Sequence, residues 1–417
     1  MNKKKKSIKS RVRVSIRIFC GLSFLICGWV LSVVINLSQH IPNQFSVTEG
    51  TTLQLEGAVQ ASAPLDQSEQ AIEAVSLSAG NHYTVSLKLF GLIPIKDVLV
   101  AVVETPVVVP CGTPFGIKLF SDGVTVVETH NVTTTNGVCN PAQDAGIQKG
   151  DLILSINGEA VVQAEQVLEI VAQAEGKPLS FRILRDDTTF DTCMIPAKSI
   201  CEDSWKSGLE VCSSTSGLGT MTFYNPSNHT FGGLGHAVTV AEEAFAATGE
   251  IVPAQINGIK KGIKGVPGTL QGSFSFGSLG SLTVNDETGV FGILDRLPDV
   301  IGTVPVCMKQ EVKVGEAQLL TTIDGNKSQL FDIRIDQVSY NDSSQTHNMI
   351  ITVTDPYLLQ KTGGIVQGMS GSPILQDGKL AGAISHVFIE NPSKGYAIFA
   401  ENMLETSNTV TSMENVS

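Results

Sequence analysis

A run of 20 residues without a charge, Ile18 to Leu37, follows a segment holding eight bases and no acid. At about 1.5 Å rise per residue, such a run just spans a hydrocarbon core of ~30 Å as one helix. The bases, from Lys3 to Arg17, stay on the cytoplasmic side, which puts everything after the run outside the cytoplasm. The expected layout is a basic cytoplasmic segment (1–17), a transmembrane signal anchor (18–37) and an extracytoplasmic body. A cleaved signal peptide is the competing reading. The run is long for a signal core, and the small-residue triplet Ala61-Ser62-Ala63 comes late for cleavage.

Beyond residue 17 the chain holds 20 basic against 40 acidic residues, so no face for phosphates is expected and nucleic acid is excluded as a partner. Its 40 glycines and 17 prolines point to short strands and many turns, a mainly β body. Cys20 and Cys27 lie in the apolar run, and the six other cysteines show no Cys-x-x-Cys or Cys/His cluster. No metal and no organic cofactor is therefore expected, and the spacing leaves any disulfide pairing open. One loop departs from the acidic body: Gly258-Ile259-Lys260-Lys261-Gly262-Ile263-Lys264-Gly265 reads as a solvated loop or as a guide for an acidic substrate segment.

Residues 38–80 lack periodicity and read as a flexible, cleavable linker, and 81–112 as a strand-rich segment. Residues 113–198 resemble a PDZ domain, an α+β unit. The run Ala145-Gly146-Ile147-Gln148-Lys149-Gly150-Asp151-Leu152-Ile153-Leu154-Ser155-Ile156-Asn157-Gly158 carries the likeness. Ala145-Gly146 suits close helix packing, Gly150 a turn, and Asn157-Gly158 a hairpin. Such domains bind extended peptides by strand addition, and Phe115, Gly116 and Ile117 are the expected peptide-binding loop.

In Gly368-Met369-Ser370-Gly371-Ser372-Pro373 a serine sits among small residues that permit a tight turn exposing Oγ and converging backbone N–H groups. A hydroxyl nucleophile needs a base, and histidine suits the task. Of seven histidines, His236 in Gly233-Leu234-Gly235-His236 has the surroundings that let another segment approach, with His386 as the alternative. Among the aspartates between His236 and Ser370 are Asp295, Asp299, Asp324, Asp332, Asp336, Asp342 and Asp355. Asp355 ends a β run before Pro356, where it suits a barrel rim or, nearly as well, a helix cap. Candidate strands at 219–224, 289–294, 304–314, 329–338, 349–353, 380–385 and 396–399, with a short helix near 242–248, suggest a chymotrypsin-like antiparallel double β-barrel peptidase over 207–405. Residues 406–417 read as a disordered tail.

The run from Thr354-Asp355-Pro356-Tyr357 to Ser372-Pro373, with Phe231-Gly232-Gly233-Leu234-Gly235-His236, is similar to the stage IV sporulation protein B signalling peptidases. The anchor, the PDZ unit and the length agree with that family. The resemblance implies a triad of His236, Asp355 and Ser370, with Gly368 and Ser370 amides as the oxyanion hole. It also implies a place in endospore formation. Such a protein sits in the forespore inner membrane and cuts its own linker, which releases it into the space between the forespore membranes. There it cuts the extracytoplasmic part of a membrane-bound regulator of an intramembrane metalloprotease, which activates the late mother-cell sigma factor. The reading from a different class is a membrane-tethered PDZ adaptor without catalysis.

Overall fold

The computed structural model describes residues 2–55, 57–62, 78–186, 188–240, 243–244, 248–297, 302–340 and 345–414. Helix Asn2–His40 includes the charge-free run, and its part Cys20–His40, of mean hydropathy 2.1, is long and apolar enough to span a membrane. The chain divides into two compact units.

The smaller unit comprises residues 1–106, 308–313 and 338–344. Its sheet runs Gln44–Thr48, Ile93–Val103, His82–Leu89, Val59–Ala61. Phe45 and Val47 point inward from alternate positions onto Val85, Leu87, Val98 and Val100. Gln310 Nε2 donates to Ser46 O and Tyr340 meets Phe45 edge to face, so two distant segments close over the first strand. This corrects the expectation of a flexible linker over 38–80. Residues 44–48 and 59–61 are strands, because a five-residue strand is too short to announce itself by periodicity. Residues 56 and 63–77 of that linker lie outside the described residues.

The larger unit, 107–307, 314–337 and 345–417, holds two six-stranded barrels. The first is closed by the first half of Pro114–Thr129, the second half of Leu209–Tyr224, Thr230–Gly233, Gly289–Leu294, Gly280–Asp286 and Thr248–Lys260, which pairs back onto the first. Phe115, Ile117, Leu119, Phe231, Ile251 and Val290 fill it. The second barrel is Gly315–Thr321, Gln329–Val338, Met349–Val353, Lys394–Phe399, Lys379–Val387 and Pro373–Gln376. The double β-barrel expectation therefore holds.

The domain order does not. The outer halves of Pro114–Thr129 and Leu209–Tyr224 leave the first barrel together and enter another sheet with Leu152–Ile156, Leu179–Arg185 and Thr188–Met194. Helix Ala164–Gln173 packs on that sheet through Val167 and Val171, against Val124, Ile153, Ile156 and Phe181. The PDZ-like unit is thus inserted between the first two strands of the first barrel. The expected boundaries, 113–198 for it and 207–405 for the peptidase, are corrected accordingly. The apolar alternation of Pro114–Thr129 runs through Phe115, Ile117 and Leu119 and changes phase to Val124 and Val126 after Ser121-Asp122-Gly123; the partner strand has register shifts at Glu210/Val211 and Cys212/Ser214, where the pair passes from barrel to PDZ-like unit.

Two smaller expectations also change. The tail is helical: Ala400–Glu414 buries Ser407 and Val410, and Ser407 Oγ bonds Thr230 Oγ1. The expected strand at 304–314 shrinks to Val304–Pro305 followed by a 3₁₀ turn, Lys309–Glu311. Of the helix expected near 242–248, residues 243–244 pair instead with 239–240, and 242 and 245–247 lie outside the described residues.

Candidate active site

Ser370 sits on a turn clamped by the second strand of the first barrel. Thr220 N donates to Ser370 O at 3.0 Å, Thr220 Oγ1 to Gly368 O at 2.7 Å and Thr222 Oγ1 to Gly371 O at 2.8 Å. The turn then joins the second barrel, with Gly371 N donating to Ile384 O and Ile384 N to Ser372 O. Gly371 has φ +90°, and a Cβ there would lie 2.1 Å from Thr220 O and 2.4 Å from Leu234 N. Only glycine provides both the φ and the approach.

That approach brings the His236 segment to the serine. After Thr230–Gly233, Leu234 and Gly235 take φ +67° and +70°, which swings the chain out of the strand and presents His236. Gly235 rests on Ile384, where its Cβ would lie 3.1 Å from the carbonyl oxygen. Asn285 holds the same segment from the other side, with Oδ1 accepting from Val238 N at 2.8 Å and Nδ2 donating to Val238 O at 2.9 Å. Ser370 and His236 are thus both seated on the strand that contains Ile384, Ser385 and His386.

His236 Nδ1 lies 2.8 Å from Ala237 O. A carbonyl only accepts, so Nδ1 carries the proton and Nε2 of the neutral ring keeps its lone pair. Burial pushes the His236 pKa down, against the pull of that carbonyl. The imidazole is therefore neutral at neutral pH, as a general base must be. Ser370 Oγ donates to Ser385 O at 3.3 Å, and among the described residues no hydrogen bond joins it to His236.

Asp355 is placed differently from the triad expectation. Its carboxylate accepts from Leu358 N at 2.8 Å and caps helix Pro356–Thr362, while its own N–H donates to Asp332 O. The helix-cap alternative is realised, and no hydrogen bond links Asp355 to His236. Among the described residues, the N–H groups of Gly368 and Ser370 donate to no other residue, and Gly368 has φ +96°. Two amides of one turn without internal partners, on either side of Met369, are what an oxyanion hole needs.

Two further histidines lie beside the site, His386, the alternative base of the sequence reading, and His347, which sequence did not connect to it. The His386 ring is 5.1 Å from that of His236 and 5.3 Å from that of His347, and His347 stacks on Tyr396 at 4.1 Å. Ring burial, then the neighbours His236 and His347, push the His386 pKa down to about 4, while one edge stays open to solvent. The polar setting of His347 gave no sign of this, since strand pairing places it. Among the described residues, no three His, Cys, Asp or Glu side chains are arranged to hold a metal ion.

The expected peptide-binding residues are elsewhere. Phe115, Gly116 and Ile117 belong to a barrel strand paired on both edges, with Phe115 and Ile117 in the core. A Cβ on Gly116 would strike Phe274 and Val252. Such a strand has no edge to offer a peptide, and the expectation is corrected. In the inserted unit, among the described residues, strand pairing joins 209–211 to Pro114–Thr129 alone, in the core that helix Ala164–Gln173 covers and just after Gly208 with φ +77°.

Residues 203–404 match the family model described as SpoIVB peptidase S55, and residues 140–185 match the PDZ domain model. Among solved structures, the active form of the Rv3671c protease from M. tuberculosis is similar at 12% identity, covering 47% of this chain and 74% of that one, with TM-score 0.30. The HtrA-type protease AlgW, in a structure with a decapeptide, is 13% identical over 49% of this chain and 54% of its own, with TM-score 0.29. The PDZ domain of an SdrC-like protein from Listeria monocytogenes is 18% identical, covering 22% of this chain and 90% of that domain, with TM-score 0.18.

Proposed function

We propose that the chain is a PDZ-containing serine peptidase of the SpoIVB peptidase S55 family, with Ser370 as its nucleophile and His236 as its general base. The single observation that carries the assignment is the Nδ1–H bond from His236 to Ala237 O, beside the Ser370 turn. It leaves Nε2 to take the hydroxyl proton as Oγ attacks the scissile carbonyl, and the imidazolium then protonates the leaving amine. The Gly368 and Ser370 amides hold the oxyanion, where losing one donor typically costs about 2.7–4 kcal/mol of barrier. Asp355 is the third member by family likeness, although its carboxylate here accepts from Leu358 N and makes no bond to the imidazole. Water then hydrolyses the acyl-enzyme.

The biological reading rests on the family and on the apolar helix. The chain is anchored in the forespore inner membrane with its body outside the cytoplasm. It cuts its own linker and then the extracytoplasmic part of a regulator of an intramembrane metalloprotease, which activates the late sigma factor. The PDZ domain receives a peptide strand at residues 209–211.

The test is full-length wild type against Ser370→Ala, followed by intact mass. Cleavage within 38–80 in wild type alone is expected. Cleavage equal in both proteins removes self-processing. Failure of a serine-reactive phosphonate to label Ser370 leaves the adaptor reading.

A further inference from the structure

The hairpin joining Thr248–Lys260 to Thr269–Phe274 is cationic and apolar at its tip. Lys260, Lys261 and Lys264 are exposed there, with Ile263 and Val266 at 60% and 46% exposure. Lys261 Nζ donates to Gln360 O, which brings the hairpin beside exposed Lys361 on helix Pro356–Thr362. Lys264 Nζ lies 3.8 Å from the Glu390 carboxylate, both highly exposed. Four exposed lysines gathered on one surface run against the body's balance of 20 bases to 40 acids.

Backbone bonds tie this hairpin to both sides of the Ser370 turn. Gly262 N donates to Thr362 O, Gln367 N to Gly268 O, and Leu270 N to Gln367 O, one residue before Gly368. Thr269 Oγ1 adds a bond to the Gln367 side chain. On the far side Gly265 N donates to Ile389 O, three residues beyond His386, and Ile389 is itself 56% exposed. Gly268 cannot carry a Cβ, which would lie 2.4 Å from Gly262 N and 2.6 Å from Val366 Cγ1. The hairpin is thus a fixed part of the walls around the nucleophile.

We propose that the Lys260–Val266 hairpin, with Lys361 and Ile389, is an exosite that docks an acidic peptide segment bearing apolar side chains. The inference rests on the serine-peptidase reading of the same site and names its substrate class. Charge selects the segment: on a surface of negative sign, a positive patch steers and retains an acidic chain and repels basic ones. The three exposed apolar side chains give that chain something to bury. The ties to Gln367 put the docked segment within a few residues of the turn that does the cutting.

The probe is a synthetic fluorescent peptide with the sequence of residues 60–76, which holds Asp66, Glu69 and Glu73 and no base. Its anisotropy is titrated with full-length Ser370→Ala protein in neutral detergent, so that binding is read without catalysis. Affinity is expected to fall about tenfold for Lys260→Glu/Lys261→Glu/Lys264→Glu, and likewise for a peptide with Asp66→Asn, Glu69→Gln and Glu73→Gln. A similar fall is expected for the parent pair between about 50 and 300 mM salt, which needs no variant to fold. Equal binding of the acidic and neutral peptides overturns the proposal, as does a triple variant that binds like its parent. Lysine-dependent binding of phosphatidylglycerol vesicles without binding of the peptide overturns it too. None of these results touches the peptidase reading, which phosphonate labelling of the wild type decides separately.

Discussion

Gly371→Ala should break both the structure and the chemistry at once. The methyl group would be forced into a left-handed backbone, at φ +90°, and against two main-chain atoms, Thr220 O at 2.1 Å and Leu234 N at 2.4 Å. The backbone conformation costs about 1–2 kcal/mol for a residue with a Cβ. Overpacking a rigid site costs about 1–3 kcal/mol more, and neither neighbour is a side chain that can step aside. The expected loss is therefore about 2–5 kcal/mol, against a total stability of roughly 5–15 kcal/mol for a domain. Gly378→Ala is the internal control, with φ +77° and nothing within 4 Å of its Cβ, so that it bears only the backbone cost. Thermal unfolding of the full chain in detergent compares the two, and phosphonate labelling reads the position of Ser370. Gly371→Ala should melt several degrees below Gly378→Ala and label slowly, because relief of the clash moves the turn off Thr220 and Thr222. If the two variants melt alike and label at the wild-type rate, the clamp between turn and barrel is refuted.

Asp355→Asn keeps a side chain that caps a helix well but removes the charge, so helix Pro356–Thr362 should stay and labelling should fall by roughly 10³–10⁴; a rate within tenfold of wild type takes Asp355 out of the triad. Because burial lowers the His236 pKa, labelling should hold at neutral pH and fall with acid, with a midpoint below 6.5; a midpoint above 6.5 contradicts a buried neutral base. His386 has the same sign for stability: its folded pKa of about 4 lies below the unfolded value, so the unfolded state binds the extra proton. Stability should decline as pH falls from 6.5 towards 4, and His386→Gln should flatten that decline in a melting series. Arg185 grips the buried Asp151 carboxylate by two bonds of 2.6 and 2.7 Å, so Arg185→Ala should cost about 3–5 kcal/mol in the inserted domain, read by hydrogen exchange; an unchanged exchange rate in Leu152–Ile156 refutes it.

Sequence alone carried whatever depends on local chemistry. The charge-free run declares a spanning helix by its length, and strands such as Gly289–Leu294, Gln329–Val338 and Met349–Val353 lie where the apolar pattern puts them. The glycines at 235, 368 and 371 mark backbone that must be left-handed, so the Ser370 and His236 segments were legible. What depends on pairing between distant segments was not. One strand serving both barrel and PDZ sheet moved Phe115, Gly116 and Ile117 from an expected binding loop into a core. Only the closed second barrel brings His386 against His236 and His347 against His386, whereas the cap of Asp355 on the helix that follows it is local and was one of its two sequence readings. The basic hairpin has the same charge in either reading, and its bonds to Gln367 are what turn a solvated loop into a wall of the site. Local composition fixes what a segment can be, whereas register and closure, set by hundreds of residues together, fix what it lies against.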